Sequence, residues 1–180
     1  MLDRLKQIAD GESVATMGAY INGCWIGHDD KDLSAVENPA TEAVIAHVPT
    51  GTQDVAADAL DAAQKARLAW AAIPAPERGR LVGRLADEIF AHQDMLARIV
   101  VAEQGKPLTQ AVGEIGATEL FLRYAAESGR RIEGDIVPSD AVDEEIWIRR
   151  VPYGVVVGLT AWNYPSALAA RKIGPAIPLC

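Results

Sequence analysis

The chain has 180 residues, 49% of them hydrophobic and 23% charged, enough for one ordinary domain or one and a half. Its 25 acidic residues outweigh 17 basic ones for a formal charge of −8, and no basic cluster interrupts the excess, which argues against nucleic acid and anionic membrane surfaces as partners. Two cysteines, Cys24 and Cys180, offer neither metal spacing nor a disulfide framework, no apolar run spans a bilayer, and the amphipathic opening MLDRLKQIADGESV lacks a secretory pattern, so the cytosol is the expected compartment.

The first local signal is Asn22-Gly23, set between the strand-forming runs 19–21 and 24–26. Both turn positions favour positive φ, so a tight hairpin is expected. A second strand pair is read at 35–36 and 43–48, turning through Glu37-Asn38-Pro39-Ala40-Thr41, with no helix crossing Pro39. The period then changes. From Thr52, a fair N-cap, Ala56, Ala59, Leu60, Ala63, Ala66 and Trp70 recur at helical spacing to about Ala72. Pro74 and Pro76 end this helix and open the next, in which Leu81, Leu85 and Ile89 are expected to face inward. A further helix over 94–103 closes at Gly105 and Pro107, and a last one runs from about Leu108 to Gly129, with Ile115, Leu122 and Ala126 as inward residues.

After Arg131 strand patterns return. Residues 135–137 and 144–151 flank a polar, proline-containing loop and predict a protruding hairpin. The run 153–160 is apolar without alternation, as a strand buried on both faces of a parallel sheet should be. Asn163-Tyr164-Pro165 turns the chain into a helix over 166–173, which is expected to stop at Gly174-Pro175. An amide side chain just past the carboxyl end of such a strand lies where open α/β sheets put their ligands, and it can donate to a developing oxyanion. Asn163 capping the helix that follows is the alternative. The oxyanion reading depends on the apolar run before Asn163 being sheet.

The string Val155-Val156-Val157-Gly158-Leu159-Thr160-Ala161-Trp162-Asn163-Tyr164-Pro165, followed by Ala170-Arg171-Lys172-Ile173-Gly174-Pro175-Ala176, resembles the Trp-Asn-Phe/Tyr-Pro motif and following helix of the NAD(P)-dependent aldehyde dehydrogenase superfamily. Tyr20-Ile21-Asn22-Gly23, Glu37-Asn38-Pro39-Ala40-Thr41 and Glu103-Gln104-Gly105-Lys106-Pro107 resemble its earlier landmarks in order, so the likeness covers roughly residues 18 to 177. It is closest in flavour to succinate-semialdehyde and lactaldehyde dehydrogenases. The resemblance implies an α/β fold: the N-terminal portion of the aldehyde dehydrogenase fold, an incomplete Rossmann-like coenzyme-binding domain with a helical segment and a protruding β-hairpin. Residues 1–132 and 152–180 would be its coenzyme part, with helices at about 53–129 and the first parallel strand at about 154–161. Residues 133–151 would be a bridging hairpin that joins copies into a homo-oligomer. The family's Lys-Pro strand, Gly-rich segment, general-base Glu and nucleophilic Cys are not in this sequence, and Pro178-Leu179-Cys180 departs from its usual continuation. An incomplete, inactive piece of an aldehyde-oxidising enzyme is therefore expected, with a non-catalytic module pairing with an intact subunit as the alternative.

By resemblance, Asn163 steadies the oxygen of the thiohemiacetal. Leu159, Thr160, Ala161 and Trp162 line NAD or NADP, mostly through backbone atoms, with weak or no binding expected here; ordinary sheet core is the other reading of Leu159, and Ala161 stands where relatives often have Pro. Tyr164 lines the substrate tunnel or packs in the core. Arg171, two helical turns beyond Asn163, binds a carboxylate or hydroxyl of the small aldehyde substrate or merely packs. Glu103 is read as solvated rather than as an ion ligand. Cys24 and Cys180 are read as inert, and His28, His47 and His92 share no ligand spacing, so no metal is expected.

Overall fold

The computed structural model describes residues 1–27 and 32–179, so the readings of His28 and Cys180 lie outside the described residues. The amphipathic opening forms α1 (Leu2–Asp10), closed by Gly11 in the left-handed region at φ 69°. Its Ile8 packs with Ala15, Ala46 and Ile99 into one core cluster. The short strand β1 (Ala15–Thr16) follows, and Arg4 Nη1 donates to the Thr16 carbonyl at 2.7 Å, tying helix to strand.

Asn22 and Gly23 take φ 50° and 79° and join β2 (Ala19–Ile21) to β3 (Cys24–Ile26) in the expected hairpin. The second expected pair also forms, as β4 (Leu33–Glu37) and β5 (Val44–Pro49). Between them the Asn38 side chain accepts from the Ala40 N–H at 2.9 Å, a local bond that fixes the turn. β5 pairs antiparallel with β4 and parallel with β1, giving a sheet in the order β1-β5-β4. The parallel β1 edge is too short to show a period in sequence.

The helices start and stop largely where their caps predict. Thr52 accepts from the Val55 N–H at 3.3 Å to open α2 (Gln53–Ala71), and Gly105 at φ 65° closes α4 (Gln93–Gln104). Between them runs α3 (Ala75–Ala91), with α5 (Leu108–Ser128) beyond. Of the residues expected to face inward on α3, Ile89 packs against two core clusters and Leu81 is half-buried, but Leu85 is 40% exposed and the buried positions are Arg78, Gly79, Val82 and Ala86. The reason is close approach. A Cβ on Gly79 would fall 2.2 Å from the Ala126 carbonyl oxygen, so only small residues fit where α3 meets α5. Two further core clusters result, Val82–Ala86–Leu122–Ala170 and Ala97–Val100–Ala111–Ile115.

The hairpin β6 (Asp135–Pro138) and β7 (Glu145–Ile148) pairs antiparallel, and its strands are almost wholly exposed. Residues 154–161, expected to be the first parallel strand, form no strand. Such a strand exists only through its ladder, and no described segment pairs with this one. Val157 and Leu159 are accordingly 70% and 82% exposed.

The last helix, α6 (Pro165–Leu179), runs through Pro175 and Pro178 instead of stopping at Gly174. An interior proline costs a backbone hydrogen bond, about 3 kcal/mol. Packing offsets that loss. Gly174 lies so close to α5 that a Cβ there would sit 3.1 Å from the Ala125 Cβ, Pro178 is fully buried, and the last carbonyls are captured by Trp70 and Arg78.

Candidate active-site segment

Residues 151–164 cross from the exposed hairpin to α6 as irregular chain. Side chains from the end of α4 and the turn that follows it hold the last residues of this segment. Gln104 Nε2 donates to the Trp162 carbonyl, and Lys106 Nζ donates to the Asn163 carbonyl at 3.1 Å. Lys106 also lies 4.6 Å from the centroid of the Tyr164 ring, a cation–π contact. Its ion-pair partner is Glu114, whose side chain is completely buried in α5.

Glu114 uses both oxygens. One takes the Lys106 ammonium; Oε1 accepts from the Ser166 N–H at 2.9 Å, at the second residue of α6. The first N–H groups of a helix have no partner within it, and an anion there also meets the favourable end of the helix dipole. Glu114 therefore caps α6 from a neighbouring helix. Thr118 completes the cluster, donating to the Glu114 carbonyl at 2.9 Å and lying 2.9 Å from Ser166 Oγ.

This arrangement bears on the two readings of Asn163. Its backbone carbonyl is bonded to Lys106, but among the described residues its side-chain amide makes no hydrogen bond, and the cap it was expected to provide under the alternative comes from Glu114. Asn163 is exposed, as are Thr160 and Ala161, and Trp162 is 84% exposed. Among the described residues no strand leads into Asn163, so the sheet on which its oxyanion reading depends is not formed by them.

Arg171 is brought over the Phe121 ring, 5.3 Å from its centroid, on the face where α6 meets α5. An open apolar groove of about 600 Å³ lies to one side, lined by Ala66 and Trp70 of α2, Val155 and Val156, and Ile173 and Ile177 of α6. None of Leu159, Thr160, Ala161, Trp162, Asn163, Tyr164 or Arg171 lines it. Cys24 is exposed on β3, opposite Ile21, and Glu103 is exposed as well. Among the described residues no three His, Cys, Asp or Glu side chains gather as a metal site, and no helix is long and apolar enough to cross a membrane.

Sequence reasoning missed Glu114, Lys106, Thr118 and Ser166 as a unit. A signal was present in α5, where Glu114 interrupts the stripe of Ala111, Ile115, Thr118 and Leu122 that faces the core. An acid on a buried face needs a partner, and Lys106 is the nearby base.

Comparison with known proteins gives these residues a context. The aldehyde dehydrogenase family model matches residues 25–179. The chain is 44% identical over 158 residues to 3,6-anhydro-alpha-L-galactose dehydrogenase of Vibrio sp. (strain EJY3), covering 88% of this chain and 33% of that protein. It is 39% identical over 159 residues to succinate-semialdehyde dehydrogenase [NADP(+)] of Escherichia coli, again covering 88% and 33%. The solved structure of 3,6-anhydro-L-galactose dehydrogenase in complex with NADP superposes with a TM-score of 0.85 at 40% identity, over 93% of this chain and 35% of that one. The chain thus spans about a third of the length of the curated relatives it matches, and it matches the N-terminal part of their fold. It belongs to the aldehyde dehydrogenase family.

Proposed function

We propose that this chain supplies the Asn163-bearing portion of an enzyme that oxidises an aldehyde to a carboxylic acid with NAD or NADP, and that it does not turn over by itself. The reaction attaches a thiolate to the aldehyde carbon, so the carbonyl oxygen gains negative charge before the carbon gives up its hydride. In the assembled enzyme, where residues 154–161 would gain the neighbouring strands they lack among the described residues, Asn163 answers the first event. Its amide N–H donates to the developing oxyanion, an interaction worth roughly 2.7–4 kcal/mol of barrier when the charge is present. The single observation that carries this reading is the Asn163 side chain, without a hydrogen bond among the described residues while its backbone is pinned by Lys106. The nucleophile and general base belong to the two thirds of the family's length that this chain does not span.

Leu159, Thr160 and Ala161 are exposed and lie outside any ladder, which suits one wall of a nicotinamide site contacted through backbone atoms, with Trp162 beside it. When bound, the cofactor supplies the hydride acceptor. Tyr164 borders the aldehyde's path, and Arg171 faces a carboxylate or hydroxyl on the substrate, a class suggested by the succinate- and glutarate-semialdehyde relatives. The exposed β6–β7 hairpin, residues 133–151 with its flanks, joins copies into a homo-oligomer, and residues 1–132 with 152–180 form the coenzyme part. The cytosol is the compartment of this work, and nucleic acid and membrane have no part in it.

The test is a chimera in which this chain replaces the matching third of the Escherichia coli succinate-semialdehyde dehydrogenase. The isolated chain should show no aldehyde oxidation above background, and the chimera should be active. Asn163→Ala in the chimera should lower kcat by about 10²–10³. Turnover by the isolated chain, or an unchanged kcat in the variant, defeats the reading.

A further inference from the structure

A carboxylate with no exposed surface persists in a helix core only when its partners offset its desolvation. Glu114 has two, and both are tied to the segment around one residue, Asn163. Oε1 holds the Ser166 N–H at 2.9 Å, three positions after Asn163, while Oε2 holds Lys106. Lys106 is itself only 13% exposed, and its remaining bond is to the Asn163 carbonyl at 3.1 Å. The ammonium sits over Tyr164, the next residue, which restricts its swing. An ordinary core ion pair would neutralise itself; this one spends its spare donor on the main chain of the residue whose side chain is unbonded.

We propose that Glu114 and Lys106 are positioning residues for Asn163, fixing its carbonyl and the start of the helix that follows so that its amide is presented in one direction. The functional meaning rests on the oxyanion role argued above. The geometric claim does not, because it concerns the order of the segment in this chain alone. Gln104, bonded to the Trp162 carbonyl, adds a third anchor one residue earlier.

Replacing Glu114 by Gln keeps an oxygen for Ser166 but turns an N–H₂ group toward the lysine, donor against donor, so the link to Asn163 is lost. Lys106→Met combined with Glu114→Gln removes both charges and leaves no unpaired ion in the core, which guards against simple unfolding.

The experiment places a nitroxide at Asn163→Cys in the full chain carrying Cys24→Ser and Cys180→Ser, since this label leaves the backbone carbonyl that Lys106 bonds in place. The parent should give a slow, ordered spectral component. That component should be lost in E114Q and in the E114Q/K106M double variant, while the helical melt by circular dichroism is retained. A probe already fast in the parent, or one that stays slow in the double variant, overturns the proposal. Neither result depends on turnover, so failure of the oxyanion reading in the chimera and failure of this positioning role are told apart.

Discussion

The Trp70 indole N–H donates to the Ile177 carbonyl at 2.9 Å, joining α2 to the last turn of α6 across 107 positions of sequence. Arg78, buried in α3, donates through Nε to the next carbonyl, that of Pro178, at 3.2 Å, and through Nη1 to Ile73. The Ile177 and Pro178 carbonyls lie in the last turn of α6, where the final C=O groups of a helix find no partner within it, and Ile73 lies between α2 and α3. Trp70→Phe should therefore cost about 0.5–1.5 kcal/mol, the worth of one neutral hydrogen bond, whereas Arg78→Met, which removes a charged donor to two carbonyls, should cost about 3 kcal/mol or more. Urea unfolding followed by circular dichroism measures both. Equal midpoints for Arg78→Met and the parent would show that α6 is not anchored this way.

Two glycines in helices should respond to alanine with opposite signs. Alanine is better than glycine in a helix interior by about 0.8–1.0 kcal/mol. At Gly113 a Cβ meets nothing within 4 Å, so Gly113→Ala should stabilise α5 by about that amount. At Gly79 the new methyl would lie 2.2 Å from a backbone oxygen of α5, which cannot move without parting the helices. Overpacking of about 1–3 kcal/mol then exceeds the gain in propensity, and Gly79→Ala should melt lower. Thermal scans of the two variants beside the parent decide it, and a stabilised Gly79→Ala would contradict the close α3–α5 contact.

The features legible in the sequence are those whose causes are local. Asn22-Gly23 supplies positive φ to a two-residue turn, Thr52 supplies a cap oxygen, and Gly105 supplies a left-handed terminus, and each acts within a few residues of itself. The motif around Asn163 was legible because several unusual residues occur in order. What failed depends on distant partners. Residues 154–161 have the composition of a buried parallel strand, yet composition cannot supply a neighbouring strand, and no described segment does. The rotation of α3 toward its glycine-bearing face follows from how closely α5 approaches, and the survival of α6 past Pro175 follows from Trp70 and Arg78, about a hundred positions away. Glu114 was hidden for the same reason, since its meaning lies in Lys106 and Ser166 rather than in α5.

Arg171 offers a way to separate packing from recognition. Its guanidinium stacks over Phe121 at 5.3 Å while remaining exposed, so packing and the proposed substrate role predict different losses when the side chain is cut back. In the chimera described above, Arg171→Ala should raise KM for succinate semialdehyde by on the order of tenfold, the loss of one charge-assisted hydrogen bond, and leave an uncharged aldehyde of similar length nearly unaffected. Loss of the contact with Phe121 acts on both substrates alike. Parallel KM measurements on the two aldehydes give the answer, and an equal rise for both assigns Arg171 to packing alone.

Two stretches of this chain each carry several exposed large apolar side chains. Val156, Val157, Leu159 and Trp162 stand out on the irregular segment, and Ile146, Trp147 and Ile148 stand out on β7, an edge strand whose outer groups have no described partner. Burying a side chain of this size yields about 1.5–3 kcal/mol, so covering even three or four rivals the stability of a small domain, about 5–15 kcal/mol. Such surfaces, and an open strand edge above all, find each other when nothing else covers them. The purified chain should therefore sediment as dimers or larger species whose weight rises with concentration. Val157→Lys with Leu159→Lys should shift that distribution toward monomer, and Trp147→Lys should do so independently if the hairpin contributes its own contact. A monomer at all concentrations, melting in one sharp step, would mean that these residues are already satisfied within the chain.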